Sequence, residues 1–224
     1  MKRLLIAIVL LGVAGSAWAQ ATPATQAAPA YQPYDESRGY VAATIGVTFG
    51  NRTSSAFAVE GGMKIGEVFE IFAELGRMTD VTTSGTDAAT AVIGPWLGTL
   101  GKGSATWSVK TPANYGAVGA RYLFPMFENF EPYVAMTVGV ANVDKQASFA
   151  LDGADVTGSL PSLGVQLGSD LYGQANKVLF TIGGGVRVPF GRLLVDASGR
   201  YCRIFTDPQG TNVLRFSAGV GFKF

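Results

Sequence analysis

A chain of 224 residues is long enough to close one domain of moderate size and needs no second. Only 15% of it is charged, against roughly 25% in soluble domains, and glycine is abundant at 30 residues. The near-balance of 17 Lys and Arg against 16 Asp and Glu leaves no electrostatic footprint for nucleic acid, the single Cys202 excludes an internal disulfide or a thiolate metal site, and histidine is absent altogether.

Residues 1–19 read as a cleavable secretory signal peptide. Lys2 and Arg3 open it, an apolar run from Leu4 to Gly15 follows, and Ala17-Trp18-Ala19 forms a small-x-small cleavage site before Gln20. The run is too short to span a bilayer, and no cysteine follows it to carry a lipoprotein anchor. Its removal leaves 15 basic against 16 acidic residues, a formal charge of −1. Residues 20–38 are rich in Ala and Pro, cannot bury a core and are expected to be a flexible segment. Beyond the signal no apolar run approaches the roughly 20 residues of a spanning helix, so any membrane crossing falls to strands.

Alternation predicts eight such strands. They run about Tyr40–Phe49, Ser55–Ile65, Val68–Met78, Asn114–Phe124, Glu131–Val143, Lys177–Val188, Arg192–Ile204 and Leu214–Phe224. Gly66-Glu67, Pro125–Phe130 and Pro189–Gly191 provide short connections. Two long insertions, Thr79–Ala113 and Asp144–Asn176, follow the third and fifth strands, with Asp152-Gly153 in the second as the tip of a hairpin between extensions of the flanking strands.

Side chains of a strand point alternately to its two faces. On one face fall Val, Ile, Leu, Met and Phe, broken only by Arg77 and Arg203; on the other fall Gly and Ala together with Glu60, Lys64, Glu70, Glu74, Arg121, Arg187, Asp196, Arg200, Arg215 and Lys223. Aromatic residues gather at the strand ends, with Phe69, Tyr122, Phe124, Phe190, Phe222 and Phe224 beside the short turns and Phe49, Phe57 and Tyr201 near the opposite ends. A closed barrel with its apolar face in lipid reads this way. In that reading the charges lie in the lumen, where a buried charge persists when paired, so they are expected to form an ionic network.

The last strand carries the most specific resemblance. Ser217, Gly219, Phe222 and Phe224 match the polar-x-Gly-x-x-aromatic-x-aromatic terminus that outer-membrane β-barrel proteins present to the barrel-assembly machinery. From about Gly39 to Phe224 the chain resembles the small eight-stranded outer-membrane barrels of the OmpA, OmpX and opacity-protein type. The resemblance implies an all-β, eight-stranded antiparallel up-and-down transmembrane barrel over residues 39–224, placed in a bacterial outer membrane among lipid and lipopolysaccharide. Short turns and both chain ends, with the 20–38 segment, would then lie on the periplasmic side and the long loops outside. Since the chain stops at Phe224, the peptidoglycan-binding role of OmpA is not implied.

Barrel enzymes of the lipid-modifying, phospholipase and omptin kinds use His as base or as its partner, and without it an acid or Ser lacks a base poised near neutrality. The expectation is a non-enzymatic protein, with no cofactor and no metal. An eight-stranded barrel is filled by its own side chains, which directs function to the loops. Trp96, Trp107, Phe149 and Tyr172 are their candidate contact residues for a surface ligand, or else pack on one another. A surface-antigen, adhesin-like or envelope-structural role is therefore expected. The alternative is a narrow passive channel for small or apolar solutes.

Overall fold

The structure, a computed structural model, describes residues 39–101, 103–124, 130–168, 171–206 and 210–224. The expected signal peptide and flexible segment lie outside them, as does most of the predicted 125–130 connection. Its strands are β1 Gly39–Phe49, β2 Thr53–Ile65, β3 Phe69–Met78, β4 Ala105–Lys110, β5 Ala113–Leu123, β6 Glu131–Leu151, β7 Ala154–Asp155, β8 Tyr172–Phe190, β9 Leu193–Ile204 and β10 Thr211–Lys223. Between β3 and β4 stands α1, Ser84–Gly101, and a 3-10 helix, Thr157–Leu163, follows β7.

Each of the eight predicted strands is present, as β1, β2, β3, β5, β6, β8, β9 and β10, and neighbours pair antiparallel around a closed ring. Closure is made by β1 against β10, from Tyr40 opposite Lys223 to Phe49 opposite Leu214. Phe224 extends this seam: its N–H donates to Gly39 O at 2.9 Å, and Gly39 N–H donates to Phe224 O at 3.0 Å. No barrel strand is thereby left with an unpaired edge through the wall. The turns use the expected glycines, with Gly66 at φ +83° and Gly191 at φ +61°.

Two features lie beyond the predicted strand ends. The insertion 79–113, whose conformation the alternation left open, holds α1 and β4. Strand β6 runs eight residues past the predicted end at Val143, and the predicted hairpin tip lies at its top, with Asp152 at φ +50° and Gly153 at φ +83° as in a type I′ turn. The return strand is only the two-residue β7, while β4 pairs on the other side of the β6 extension. Strand β4 continues the register of β5, since Ala147 faces Val109 as Val143 faces Ala113. A wall of β4, β6 and β8 thus rises above the rest of the rim.

Facing follows the predicted parity. Ile45, Val59, Leu75, Val118, Val138, Ile182 and Val220 are exposed on the outside, whereas Glu60, Glu70, Arg121, Arg187 and Arg200 are buried within. In a water-soluble sandwich the assignment would be reversed. A continuous belt of exposed Val, Ile, Leu and Phe around a closed ring is the surface that lipid solvates. No described helix is long and apolar enough to cross a membrane. Aromatic collars close the belt: Phe69 and Tyr122 meet edge to face at 5.3 Å, Tyr122 and Phe124 at 5.0 Å, and Phe49 and Phe216 at 6.0 Å.

Candidate functional site

The lumen is built in storeys. At its centre Glu60, Glu70, Glu74 and Asp196 meet four arginines from β5, β8, β9 and β10. Arg121 holds Glu60 at 2.7 Å and Glu70 at 2.6 Å; Arg187 holds Glu70 at 2.8 Å, Glu60 at 3.1 Å and Asp196 at 3.4 Å. Arg200 bridges Glu60, at 3.0 Å, to Glu74, and Arg215 pairs with Glu74 at 2.7 Å. Four positive and four negative groups close this cluster without net charge.

Aromatic residues complete it. The Tyr40 hydroxyl donates to Glu60 Oε1 at 2.6 Å and accepts from Arg121 Nη1 at 2.9 Å, Tyr115 donates to Glu74, and Tyr133 donates to Asp196 at 3.1 Å. The Arg121 guanidinium also lies over Phe72 and Tyr133, 4.5 and 4.3 Å from their ring centroids. Parity places these four aromatic residues on the lumen face, which is the signal by which they were legible; their role as partners of the charges was not.

Among the described ion pairs, Lys64 and Lys223, expected in the same network, meet a different acid. Both approach Glu131 at the short-turn end, at 3.6 and 3.9 Å, and the Lys64 side chain is 31% exposed. Glu131 opens β6 on its inward face and was missed as a member. Beside these three residues and Tyr40 lies a void of about 10 Å3, room for about one water. Among the described residues no group of three or more acids or thiols is placed to hold a metal ion. The buried carboxylates already receive their donors from arginine.

Toward the long-loop end the inward face turns apolar. Met78, Val143, Leu179, Cys202, Ile204 and Val213 form a core inside the barrel mouth, joined by Val81 from the segment that leaves β3. Above it is a second core outside the barrel proper, where Leu97 of α1 meets Val109, Phe149, Leu160 and Leu171. Two glycines let α1 approach the wall: a Cβ at Gly94 would lie 2.0 Å from the Trp107 ring, and at Gly101 2.3 Å from Leu151. Arg52 ties the base of α1 to the β1–β2 turn through Asp87 at 2.6 Å and donates to Val109 O at 2.8 Å.

Of the four loop residues, Phe149 follows the packing alternative: it is 1% exposed and lies in the loop core. Trp107 packs under α1 and is partly open, while Trp96 and Tyr172 are exposed. Trp96 shares the outer side of α1 with Val92 and Leu100, spaced i, i+4, i+8, and all three are exposed. A polar cavity of about 300 Å3 opens between the β1–β2 turn, the start of α1 and β10, with Asn51, Arg52, Thr83 and Asn212 on its walls.

The terminal pattern residues divide by face. Ser217 and Gly219 point inward, Ser217 sharing a hydrogen bond of 3.0 Å with Ser198, and a Cβ at Gly219 would meet Ala43 O at 2.6 Å. Phe222 and Phe224 are exposed in the collar beside the short turns.

No family model matches the sequence, and no curated protein is similar to it. Solved structures are similar in fold. Neisserial surface protein A has a TM-score of 0.53 at 15% identity, covering 83% of this chain and 97% of its own. The N-terminal β-barrel domain of Pseudomonas aeruginosa OprF has 0.49 at 15%, covering 84% and 98%. The outer membrane enzyme PagL has 0.42 at 10%, covering 83% and 99%. The fold of the chain is that of the small eight-stranded outer-membrane β-barrels.

Proposed function

We propose that this is a non-enzymatic bacterial outer-membrane barrel whose lumen is closed and whose working surface is the rigid head formed by α1 and the β4–β6–β8 wall. The observation that carries the reading is the stack of three filled storeys along one axis: a neutral ionic cluster, an apolar core in the mouth and a second apolar core above it. A water-filled path needs a polar lining, and the outer half of this lumen supplies Met, Leu, Ile and Val instead. The absence of histidine and the full engagement of the buried acids by arginine support a protein without hydrolytic or acyl-transfer chemistry.

Short turns and both strand ends of the barrel face the periplasm, and the head faces outward from the cell. The terminal Ser217, Gly219, Phe222 and Phe224 serve recognition by the barrel-assembly machinery, and the apolar belt lies against membrane lipid. In the head, Val92, Trp96 and Leu100 on a helix with a single charged residue, Asp87, offer an uncharged contact surface to an external partner. A surface-antigen or adhesin-like role fits this better than transport.

Conductance tests the reading. The purified barrel in a planar bilayer is expected to give no steady single-channel openings. Sustained openings would instead support the narrow passive channel. Cells displaying the protein are expected to lose surface adhesion when residues 84–101 are replaced by a short Gly/Ser linker with the barrel still folded; unchanged adhesion would remove α1 from the binding surface.

A further inference from the structure

We infer that α1 docks its outer row, Val92, Trp96 and Leu100, on an apposed lipid bilayer, one other than the membrane that holds the barrel. An ordinary surface helix turns its apolar stripe to the core and its charged side to water. Helix α1 is turned the other way. Against the wall it sets Thr86, Thr90, Gly94 and Leu97, of which only Leu97 is a large apolar side chain. Toward solvent it sets Val92, Trp96 and Leu100, which are 74%, 45% and 52% exposed. The richer apolar side is the one left uncovered.

Composition says what covers it. From Ala88 to Gly101 the chain carries no charged residue. An apolar stretch of roughly 10 to 14 residues is characteristic of a buried core helix or of a segment lying in a membrane interface. Helix α1 is not buried, since Ala88, Ala91, Val92, Trp96, Thr99 and Leu100 are all exposed. Its one charge, Asp87, is already engaged by Arg52 at 2.6 Å and by Asn51. A protein surface meeting this row would find no ion-pair partner and, beyond the Trp96 indole N–H and the Thr99 hydroxyl, no hydrogen-bonding side chain. A bilayer requires neither. It accepts an apolar row along one side of a helix, and a Trp is favoured at its headgroup level. With no cation in the row, the contact needs no anionic lipid and is insensitive to salt.

The position of α1 excludes the barrel's own membrane as the occupant. Ala113 is opposite Val143, Val109 opposite Ala147 and Trp107 opposite Phe149, so these side chains carry the inward face of the barrel up the wall. Leu97 meets Val109 and Phe149, and Gly94 meets the Trp107 ring, so α1 lies on the mouth side of the wall. The surrounding bilayer touches the belt on the other side. The uncovered row, on the side of α1 opposite Gly94 and Leu97, looks away from it.

This inference names the partner of the α1 surface and rests on the reading that the head is the working surface. The test mixes the barrel, held one per lipid nanodisc, with phosphatidylcholine vesicles and separates bound discs by flotation. The discs are expected to float with the vesicles equally in low and high salt and with or without added phosphatidylglycerol. Vesicles with brominated acyl chains are expected to quench tryptophan emission. Val92→Gln with Leu100→Gln lowers the floated fraction several-fold, and Trp96→Phe removes most of the quenching, with the heat-dependent gel shift retained in both. Lys110→Gln, on the outward side of the wall, changes neither readout. No flotation of the folded wild type, flotation only with phosphatidylglycerol, or equal flotation of the Val92 and Leu100 variant would overturn the assignment. Loaded discs that pair with one another but ignore empty vesicles would overturn it in favour of a second copy. Cell adhesion lost on replacing residues 84–101, without flotation, would give α1 to a protein partner and keep the head as the working surface; adhesion unchanged by that replacement would remove the α1 reading itself.

Discussion

Glu60 and Glu74 show why the interior tolerates so much charge. Glu60 is held by Arg121, Arg187 and Arg200, and Glu74 by Arg200 and Arg215, so Arg200 joins the two acids into one cluster. Taking charges out of water costs several kcal/mol for each, and only saturation with partners offsets it. Removing one member should therefore hurt more than removing a pair. Glu74→Leu leaves Arg215 and one arm of Arg200 facing no anion, and is expected to cost about 3 to 5 kcal/mol. Glu74→Leu with Arg215→Met discharges most of that debt and should fall clearly below the single change. Urea unfolding in lipid vesicles, followed by tryptophan fluorescence, measures both; equal losses for the single and double variants would mean the network is not coupled. Parity alone exposed nearly every member of this cluster, because each lies on the face that carries no other large apolar charge-free run. Which acid meets which arginine was not legible, since strand tilt and register decide the axial level of each side chain. Glu131 escaped for a related reason: it begins its strand and has no alternating neighbours before it.

The barrel strands and the head differ in how far the sequence announces them. A transmembrane strand alternates between lipid and lumen, so its period of two is strong and the predicted ends fall within a few residues for all but β6 and β8. Helix α1 has no such contrast. Its buried side holds Thr86, Thr90, Gly94 and Leu97, its exposed side holds Ala88, Val92, Trp96 and Leu100, and Pro95 and four glycines depress its intrinsic propensity. What holds it helical is the wall behind it. Thr83 caps its start through the Thr86 N–H at 3.3 Å, and its glycines allow close approach to Trp107 and Leu151. The break between β4 and β5 serves the same attachment: at Thr111-Pro112 the Thr111 N–H donates to Asp80 Oδ1 at 3.1 Å and its carbonyl accepts from Val81 N–H at 2.8 Å. Gly94→Leu is accordingly expected to lift α1 off Trp107 without disturbing the barrel. Limited proteolysis should then cut within residues 84–101 while the heat-dependent gel shift stays as in the wild type; protection equal to the wild type would show that the glycine is not what sets the contact.

At the scale of the whole molecule, the closed-lumen proposal assigns a part to each of three clusters. The ionic cluster ties the barrel across its section, since each arginine reaches across the lumen to strands other than its own neighbours. In that proposal the apolar core at the mouth keeps external water from those charges, and the loop core covers the mouth. The lone cysteine reports on this arrangement without any engineering, because Cys202 lies in the middle core, 2% exposed, between the ions and the outer head. If the storeys are continuous, a membrane-impermeant maleimide added from either side of a vesicle should leave Cys202 unlabelled in the folded barrel and label it fully after heating in detergent. Met78→Ala with Ile204→Ala removes two large, fully buried apolar side chains of that layer and should admit the reagent from the loop side while the gel-mobility shift persists. Rapid labelling of the folded wild type would mean that water already reaches the level of Cys202, and a lumen wet at that depth would have lost the seal on which the closed-barrel reading depends.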